Sequence, residues 1–576
     1  MKQLTIAHPV KLVSKLHKLL KQIFICGISA TAIALSPQSV LGAERLRFHY
    51  GLLEFDLEID ALELFARKGK VNSQLHFYTK RLDDKTIMQL RRILRRRIKI
   101  NPILLYRLTR SPMVAEIIQN LGEVATTHQG HNGFYAIRGS ATNAMIAQKK
   151  QGITLIDVLR EFPSENILIN TSRLLELQKE LTTLVEYREA IKQLVIQQAS
   201  NEASATLSNK FVPKQDLRAS GRVAFTEQII NIDSRIARTQ SEIRSKKTFR
   251  VHLYLPQLSQ PAPIVILSHG FGSEPNSFDY LGEHLASYGI AAVSVEHIGS
   301  NSDYEQEILE GTRKEAIASQ EFIERPLDIQ YVLDKLEQLN QSDATLKGTL
   351  DLTKVGMIGH SLGGYTTLAL SGAEINAERL RQQCPRKKIN LNMSLLMQCR
   401  AKDLTFQHQL ADSRIDVAIA ISPISSAIFG QESLTNISIP IAIVSGSEDT
   451  IAPVVQEQIY PFTWLKAKDK YLAMMIPGDH FFSSNLSLDK RDSPSIVEEL
   501  LGQRLTDGKP YIKAFTIAFI KAHLEQKSEY LSYLTASYAQ DNSNEQLNFK
   551  VINSLDIELL EQEYNDILPL IFPSLE

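Results

Sequence analysis

"VGMIGHSLGGYTTLAL", residues Val355 to Leu370, is the stretch on which the reading of the whole chain turns. An apolar run leads into closely spaced glycines, and a helical pattern follows them. Gly359, Ser361 and Gly363 stand at G-x-S-x-G spacing, which puts a serine on a sharp strand-to-helix turn. Such a serine takes a strained backbone conformation that lifts its hydroxyl clear of the sheet, and small neighbours avoid the clash. A serine that is merely small satisfies the same pentapeptide, so the surrounding chain has to discriminate.

Working outward, short β-rich runs alternate with helical stretches from about Leu217 onward. The runs are "KTFRVHLYLP", "APIVILSHG", "GIAAVSVEH", "KVGMIGHS", "IDVAIAISP", "IPIAIVSG" and "YLAMMIPG". Strands alternating with helices over this length imply an α/β fold, with a mostly parallel sheet and helices on both faces. Near-continuous apolar strands agree, because they are buried on both sides. That is the context a catalytic reading of Ser361 needs.

A serine hydroxyl is a weak nucleophile and requires a histidine base, itself oriented by a carboxylate. The apolar run "IPIAIVSG" ends at Gly446, and Asp449 sits just beyond it in "SEDTIAP". Glu448 competes for the role, and Asp449 is preferred for its place before "TIAP"; a helix N-cap is its structural alternative. His480 follows the apolar run "YLAMMI" and a Pro-Gly turn, with Asp479 expected to point away. His523, inside "YIKAFTIAFIKAHL", reads as structural. The oxyanion of an acyl-transfer intermediate needs N–H donors. Leu362, directly after the serine, supplies one, and Phe271 in "SHGFGSEPNSF" supplies the other. His269 precedes the serine and is expected to hold loop geometry rather than act as the base.

The motifs "LSHGFG", "AVSVEHIGSN", "GHSLGG", "SGSEDTIAP" and "GDHFF" make residues from about Leu217 to Leu524 resemble an α/β-hydrolase. The group they resemble is that of the platelet-activating-factor acetylhydrolases and dienelactone-hydrolase-like enzymes. The Glu296-His297 pair after a strand is similar to the acetylhydrolase branch in particular. The whole chain is similar to predicted cyanobacterial exported hydrolases that share an N-terminal domain of unassigned function. This resemblance implies a triad of Ser361, Asp449 and His480, ester hydrolysis through an acyl-enzyme, and no metal or cofactor. The segment at about 372–414 departs from the family pattern. It is long, carries Cys384 and Cys399, and is expected to form a cap over the serine. Its Met393, Leu395, Leu396 and Met397 either offer adaptable apolar surface to an acyl chain or are core. The two cysteines either close a short disulfide loop or stay as buried thiols.

Upstream, residues 44–170 read as a separate, smaller and mostly helical α+β domain. It opens with two short strands around Gly51 and a helix from Asp60 to a stop at Gly69. A basic amphipathic helix follows from near Asp83 to before Pro102, carrying Arg91, Arg92, Arg95, Arg96, Arg97 and Lys99. It can lie on an anionic lipid surface or present an ordinary solvated face. "HQGHNGFYAIRGS", with His128 and His131, reads as a loop. Residues 171–216 read as a long helix and a linker, 217–530 as the catalytic domain and 531–576 as a C-terminal extension.

Residues 1–43 combine Lys11, Lys15, Lys18 and Lys21 with the apolar stretch Ile23 to Leu35 and small residues at Gly42 and Ala43. That is the pattern of a secretory signal peptide, too short to span a bilayer. Cys26 lacks the small neighbours of a lipoprotein signal. The expectation is an exported soluble protein, periplasmic or extracellular, or in the thylakoid lumen if cyanobacterial. Lysine plus arginine equal aspartate plus glutamate at 64 each, so no global field draws the chain to nucleic acid. The expected partner is a small-molecule or lipid ester. Two other readings stay open: an acyltransferase using the same triad, and a hydrolase-fold scaffold that only binds.

Overall fold

A computed structural model describes residues 42–572 apart from 51–52, 81, 149–150, 206–214, 234–247, 314–316, 385–391, 405–408, 484–506 and 565–566. The expected signal peptide lies almost wholly outside the described residues.

The large unit is built on nine strands: β5 (Phe225–Asp233), β6 (Thr248–Pro256), β7 (Ala262–Ser268), β8 (Ala291–Val295), β9 (Leu350–His360), β10 (Ile415–Ile421), β11 (Ile441–Gly446), β12 (Lys470–Ile476) and β13 (Asn548–Ile552). Their order in the sheet is β13-β12-β11-β10-β9-β7-β8-β6-β5. From β8 to β12 every neighbouring pair is parallel, and the antiparallel pairs lie at the two edges. The architecture is therefore mixed α/β with a large, mostly parallel sheet. Residues Ile264–Leu267, Val355–Ile358 and Ile441–Val444 are all buried, which is why these strands read as unbroken apolar runs.

The small unit carries the order β2-β1-β4-β3 in a four-stranded sheet. Its strands are β1 (Arg45–Tyr50), β2 (Leu53–Glu58), β3 (Ala125–Thr126) and β4 (Asn166–Ile169). The helix Ile59–Lys68 starts directly after β2 and stops at Gly69, whose φ of 71° suits a residue without a side chain. Its Ile59, Leu62 and Phe65 pack with Leu94, Ile156 and Ile167 into a core of their own. The basic helix is shorter than its pattern implies, running from Asp84 to Arg95. Arg96 turns extended and Ile98 bridges Ile153, so Arg96, Arg97 and Lys99 leave the helix for a loop.

Two sequence boundaries shift. The long helix Thr171–Ala205 is no spacer. Its Tyr187, Ile191, Val195 and Ala199, spaced four apart, are buried in the same cluster as Leu362, Tyr365 and Leu368. The segment from 531 onward likewise belongs to the large unit. It supplies β13 at the sheet edge, while Ile567, Ile571 and Phe572 join that cluster.

In the segment expected to be a cap, helices Ala377–Gln383 and Met393–Gln398 are joined by a Cys384–Cys399 disulfide with Cα atoms 5.7 Å apart. Leu395 and Leu396 are buried, which makes them core. Gln398 accepts the N–H groups of Ala427 and Ile428 at 2.9 Å, and donates to the buried Glu457 at 3.0 Å. This ties the segment to the helix Ser426–Leu434.

Candidate active site

Strand β9 ends at His360, and the helix Leu362–Leu370 begins two residues later, so Ser361 makes the whole turn. Its φ of 56° and ψ of −116° are unusual for a residue with a side chain, a conformation costing about 1–3 kcal/mol. Two backbone bonds hold it there. Ser361 N–H donates to Ile421 O at 2.9 Å, and Tyr365 N–H donates to Ser361 O at 3.0 Å. Both glycines of the motif are required by close approach. A Cβ at Gly359 would lie 2.0 Å from Gly363 O, and one at Gly363 would lie 1.9 Å from Ser268 O.

Asp449 and His480 meet although 31 residues separate them. Their loops follow the adjacent parallel strands β11 and β12 and are tied by Ser447 N–H to Met475 O at 3.0 Å and Glu448 N–H to Gly478 O at 2.7 Å. His480 Nδ1 lies 2.8 Å from Asp449 Oδ2, with both side chains buried. Asp449 Oδ1 accepts the N–H groups of Ile451 at 3.0 Å and Ala452 at 2.9 Å. One carboxylate oxygen therefore serves the backbone and the other serves the histidine. Glu448, the rival acid, turns away to Arg188 at 3.0 Å and Lys192 at 3.5 Å on the long helix. Asp479 Oδ1 accepts Phe481 N–H at 2.8 Å. His523 Nε2 lies 3.0 Å from Tyr471 OH, far along the chain from the elbow.

His360 joins the serine turn to the histidine loop, a role the sequence did not suggest. Its Nε2 donates to His480 O at 2.8 Å, and the two rings lie 4.9 Å apart. Burial pushes the His360 pKa down to about 3, so the ring is neutral and keeps that single donor. No hydrogen bond joins Ser361 Oγ to His480 in this arrangement. In substrate-free sites this bond is often long and tightens when substrate binds.

The loop after β7 lies against the elbow. A Cβ at Gly270 would sit 3.3 Å from Ser361 Cβ, so the backbone entering Phe271 passes directly over the serine. Leu362 is the first helical residue, and its N–H has no acceptor within its own helix. Phe271 and Phe481 are only partly buried, and the Phe481 ring stands 5.3 Å from that of His480. His269 is fully buried. It accepts His297 N–H at Nε2, at 3.1 Å, and its Nδ1 lies 2.7 Å from Gly270 O. Burial, followed by the nearby Arg325 and His297, holds its pKa well below the ordinary range.

Beneath this loop lies a group of buried polar side chains that the sequence hides. His297 Nε2 is 2.9 Å from Ser268 Oγ, and His297 Nδ1 is 3.2 Å from Asp328 Oδ2. Ser268, His297 and Asp328 thus copy the bonding of a catalytic triad, yet all three are fully buried and out of reach of any substrate. Arg325 is buried beside them.

A family model described as an alpha/beta hydrolase of unknown function matches residues 42–170. The match falls on the four-stranded N-terminal unit rather than on the sheet that carries Ser361, Asp449 and His480. No curated protein matches the chain. The mixed α/β architecture with its large, mostly parallel sheet is consistent with an α/β-hydrolase.

Proposed function

We propose that the protein is an exported serine ester hydrolase, similar to the platelet-activating-factor acetylhydrolases, that cleaves a lipid or other apolar ester. The buried Asp449–His480 contact at 2.8 Å, beside a serine held at positive φ, carries the reading. A binding scaffold has no need of either feature.

In this mechanism Asp449 keeps the His480 proton on Nδ1, leaving Nε2 free as a base. His480 Nε2 takes the Ser361 proton as Oγ attacks the ester carbonyl. The N–H groups of Leu362 and Phe271 hold the oxyanion. The intermediate collapses, His480 returns the proton to the leaving alcohol, and an acyl-Ser361 ester remains. Water, deprotonated by His480, then releases the acid and frees the serine. The partly exposed rings of Phe271 and Phe481 favour an apolar acyl group. An acyltransferase runs the same first half with an alcohol in place of water.

The N-terminal unit suggests where this happens. The outer face of the basic helix carries Lys85, Arg92 and Arg95 beside the exposed Met88 and Ile93, with Asp84 in its first turn as the helix's single carboxylate. That chemistry suits an anionic lipid surface. Cosedimentation with anionic but not zwitterionic vesicles, lost in Arg92→Glu/Arg95→Glu, tests it.

The decisive experiment treats mature protein and Ser361→Ala with p-nitrophenyl esters of increasing chain length and with a fluorophosphonate probe. Turnover and labelling by the wild type alone support the hydrolase. Labelling with turnover only when an alcohol acceptor is added favours the transferase. No turnover and no labelling leaves the scaffold.

A further inference from the structure

We infer that Arg325 is the positioning residue that sets the oxyanion hole, by clamping the Phe271 loop to the helix that begins at Leu362. The inference rests on the serine-hydrolase reading and adds to it a residue remote in sequence from every motif.

Arg325 lies in the helix Glu321–Ser342, where Glu321, Glu324, Arg325 and Asp328 are all buried within the first three turns. Charged side chains are almost never fully buried without specific partners, and desolvating each costs several kcal/mol. The partners of Arg325, three hydroxyls and one backbone carbonyl, lie on the segments that adjoin the two proposed oxyanion donors. Its Nη2 donates to His269 O and, at 3.2 Å, to Ser268 Oγ, which fixes the chain just before Phe271. Its Nη1 donates to Ser300 Oγ at 2.7 Å, and Ser300 O accepts Gly272 N–H at 2.8 Å, which fixes the chain just after Phe271. Its Nε donates to Thr366 Oγ1 at 3.2 Å, and Thr366 Oγ1 donates to Leu362 O at 3.0 Å. A planar guanidinium with donors in fixed directions meets three such demands at once, and an ammonium does not.

The buried Ser268–His297–Asp328 array completes the device. Asp328 accepts from His297 Nδ1, so His297 Nε2 accepts from Ser268 Oγ, whose lone pairs remain for Arg325. Ser300 Oγ in turn donates to Glu321 Oε2 at 2.6 Å. Each group donates and accepts in one consistent direction, so the clamp has a single arrangement. The Phe271 N–H is held from both sides and referred to the Leu362 N–H through one rigid ion.

The test compares wild type, Arg325→Lys, Arg325→Met and Thr366→Val on p-nitrophenyl butyrate. Alongside kcat and KM it measures inhibition by a trifluoromethyl ketone, whose adduct carries an oxyanion, and thermal unfolding. Losing one oxyanion donor typically costs about 100- to 1000-fold in kcat. Arg325→Met should lose on that order with KM changed less than about threefold, and fluoroketone affinity should fall in parallel. Arg325→Lys should recover part of kcat, and Thr366→Val, which cuts one link, should lose roughly tenfold. If Arg325→Met does not fold, the other two variants decide. Folded variants with wild-type kcat or unchanged fluoroketone affinity, from an active parent, overturn the clamp alone. An inactive, unlabelled wild type overturns the hydrolase reading and the clamp with it.

Discussion

Replacing Asp449 by asparagine should inactivate the protein while leaving it folded, and the surrounding backbone dictates why. Asp449 Oδ1 accepts two N–H groups, from Ile451 and Ala452. An asparagine must keep its oxygen there, because an NH2 group cannot accept those bonds. Its NH2 therefore faces His480 Nδ1, now 2.8 Å from a carboxylate oxygen. The imidazole nitrogen must then accept, and its proton moves to Nε2, where the ring can no longer take the Ser361 proton. A wrong tautomer of this kind costs on the order of ten-thousand-fold in kcat, or about 5 kcal/mol. Exchanging charged for neutral acceptors costs only about 1 kcal/mol of stability. Initial rates on p-nitrophenyl butyrate, normalised to folded protein by near-ultraviolet circular dichroism, read both effects. A folded Asp449→Asn protein that retains more than about a tenth of wild-type kcat would mean that Asp449 does not orient His480.

Other substitutions separate neighbouring roles. Glu448→Gln should keep at least half of wild-type activity, because Glu448 faces Arg188 and Lys192; inactivation would return it to candidacy as the acid. Gly363→Ala places a Cβ 1.9 Å from Ser268 O, so it should cost about 1–3 kcal/mol or more and lower kcat, whereas normal urea unfolding and turnover would contradict the packing. Cys384→Ser opens a cross-link between residues 15 apart, and thermal melts should show a loss of up to about 3 kcal/mol relative to the oxidised wild type. Stability should also fall on acidification. Burial lowers His284 to about 4 and His360 to about 3, while the unfolded chain titrates near 6.5. Between about pH 6.5 and 4 the unfolded state binds protons that the folded state refuses, so stability rises with pH across that window. Urea midpoints that stay flat from pH 7 to 5 would contradict the buried neutral histidines.

What the sequence revealed follows from what burial does to its pattern. Strands β7 to β12 were legible because a strand covered on both faces is largely apolar, and β6 because its last six residues are buried and mostly apolar. Strand β5, "FTEQIINID", was missed because it lies at an edge with several exposed residues. Strand β13 was missed because five residues far from the motifs carry no period of their own. The elbow, Asp449 and His480 were legible because each directly follows an apolar strand. Arg325, His297 and Asp328 were not. Charged residues on a helix ordinarily mark its solvent face, and nothing in "EFIERPLDIQ" says that here they point inward. The basic helix was overextended because Arg96, Arg97 and Lys99 continue its amphipathic pattern past Arg95, while pairing of Ile98 with Ile153 draws the backbone out of the helix.

The placement of β13 bears on how the molecule is made. Ser361 leaves the ribosome roughly 190 residues before the strand that closes the β12 edge. At about 5–20 residues per second, that leaves the elbow waiting some 10–40 s for its sheet to be finished. Tyr187 waits longer still, since its ring packs on Tyr564, near the other end of the described chain. A nascent chain paused anywhere in between carries an uncovered parallel-sheet edge and a half-filled core, the state in which sheets pair with the wrong neighbour. The sheet is therefore completed late, because its β12 edge stays open until residues 548–552 are available to pair with it.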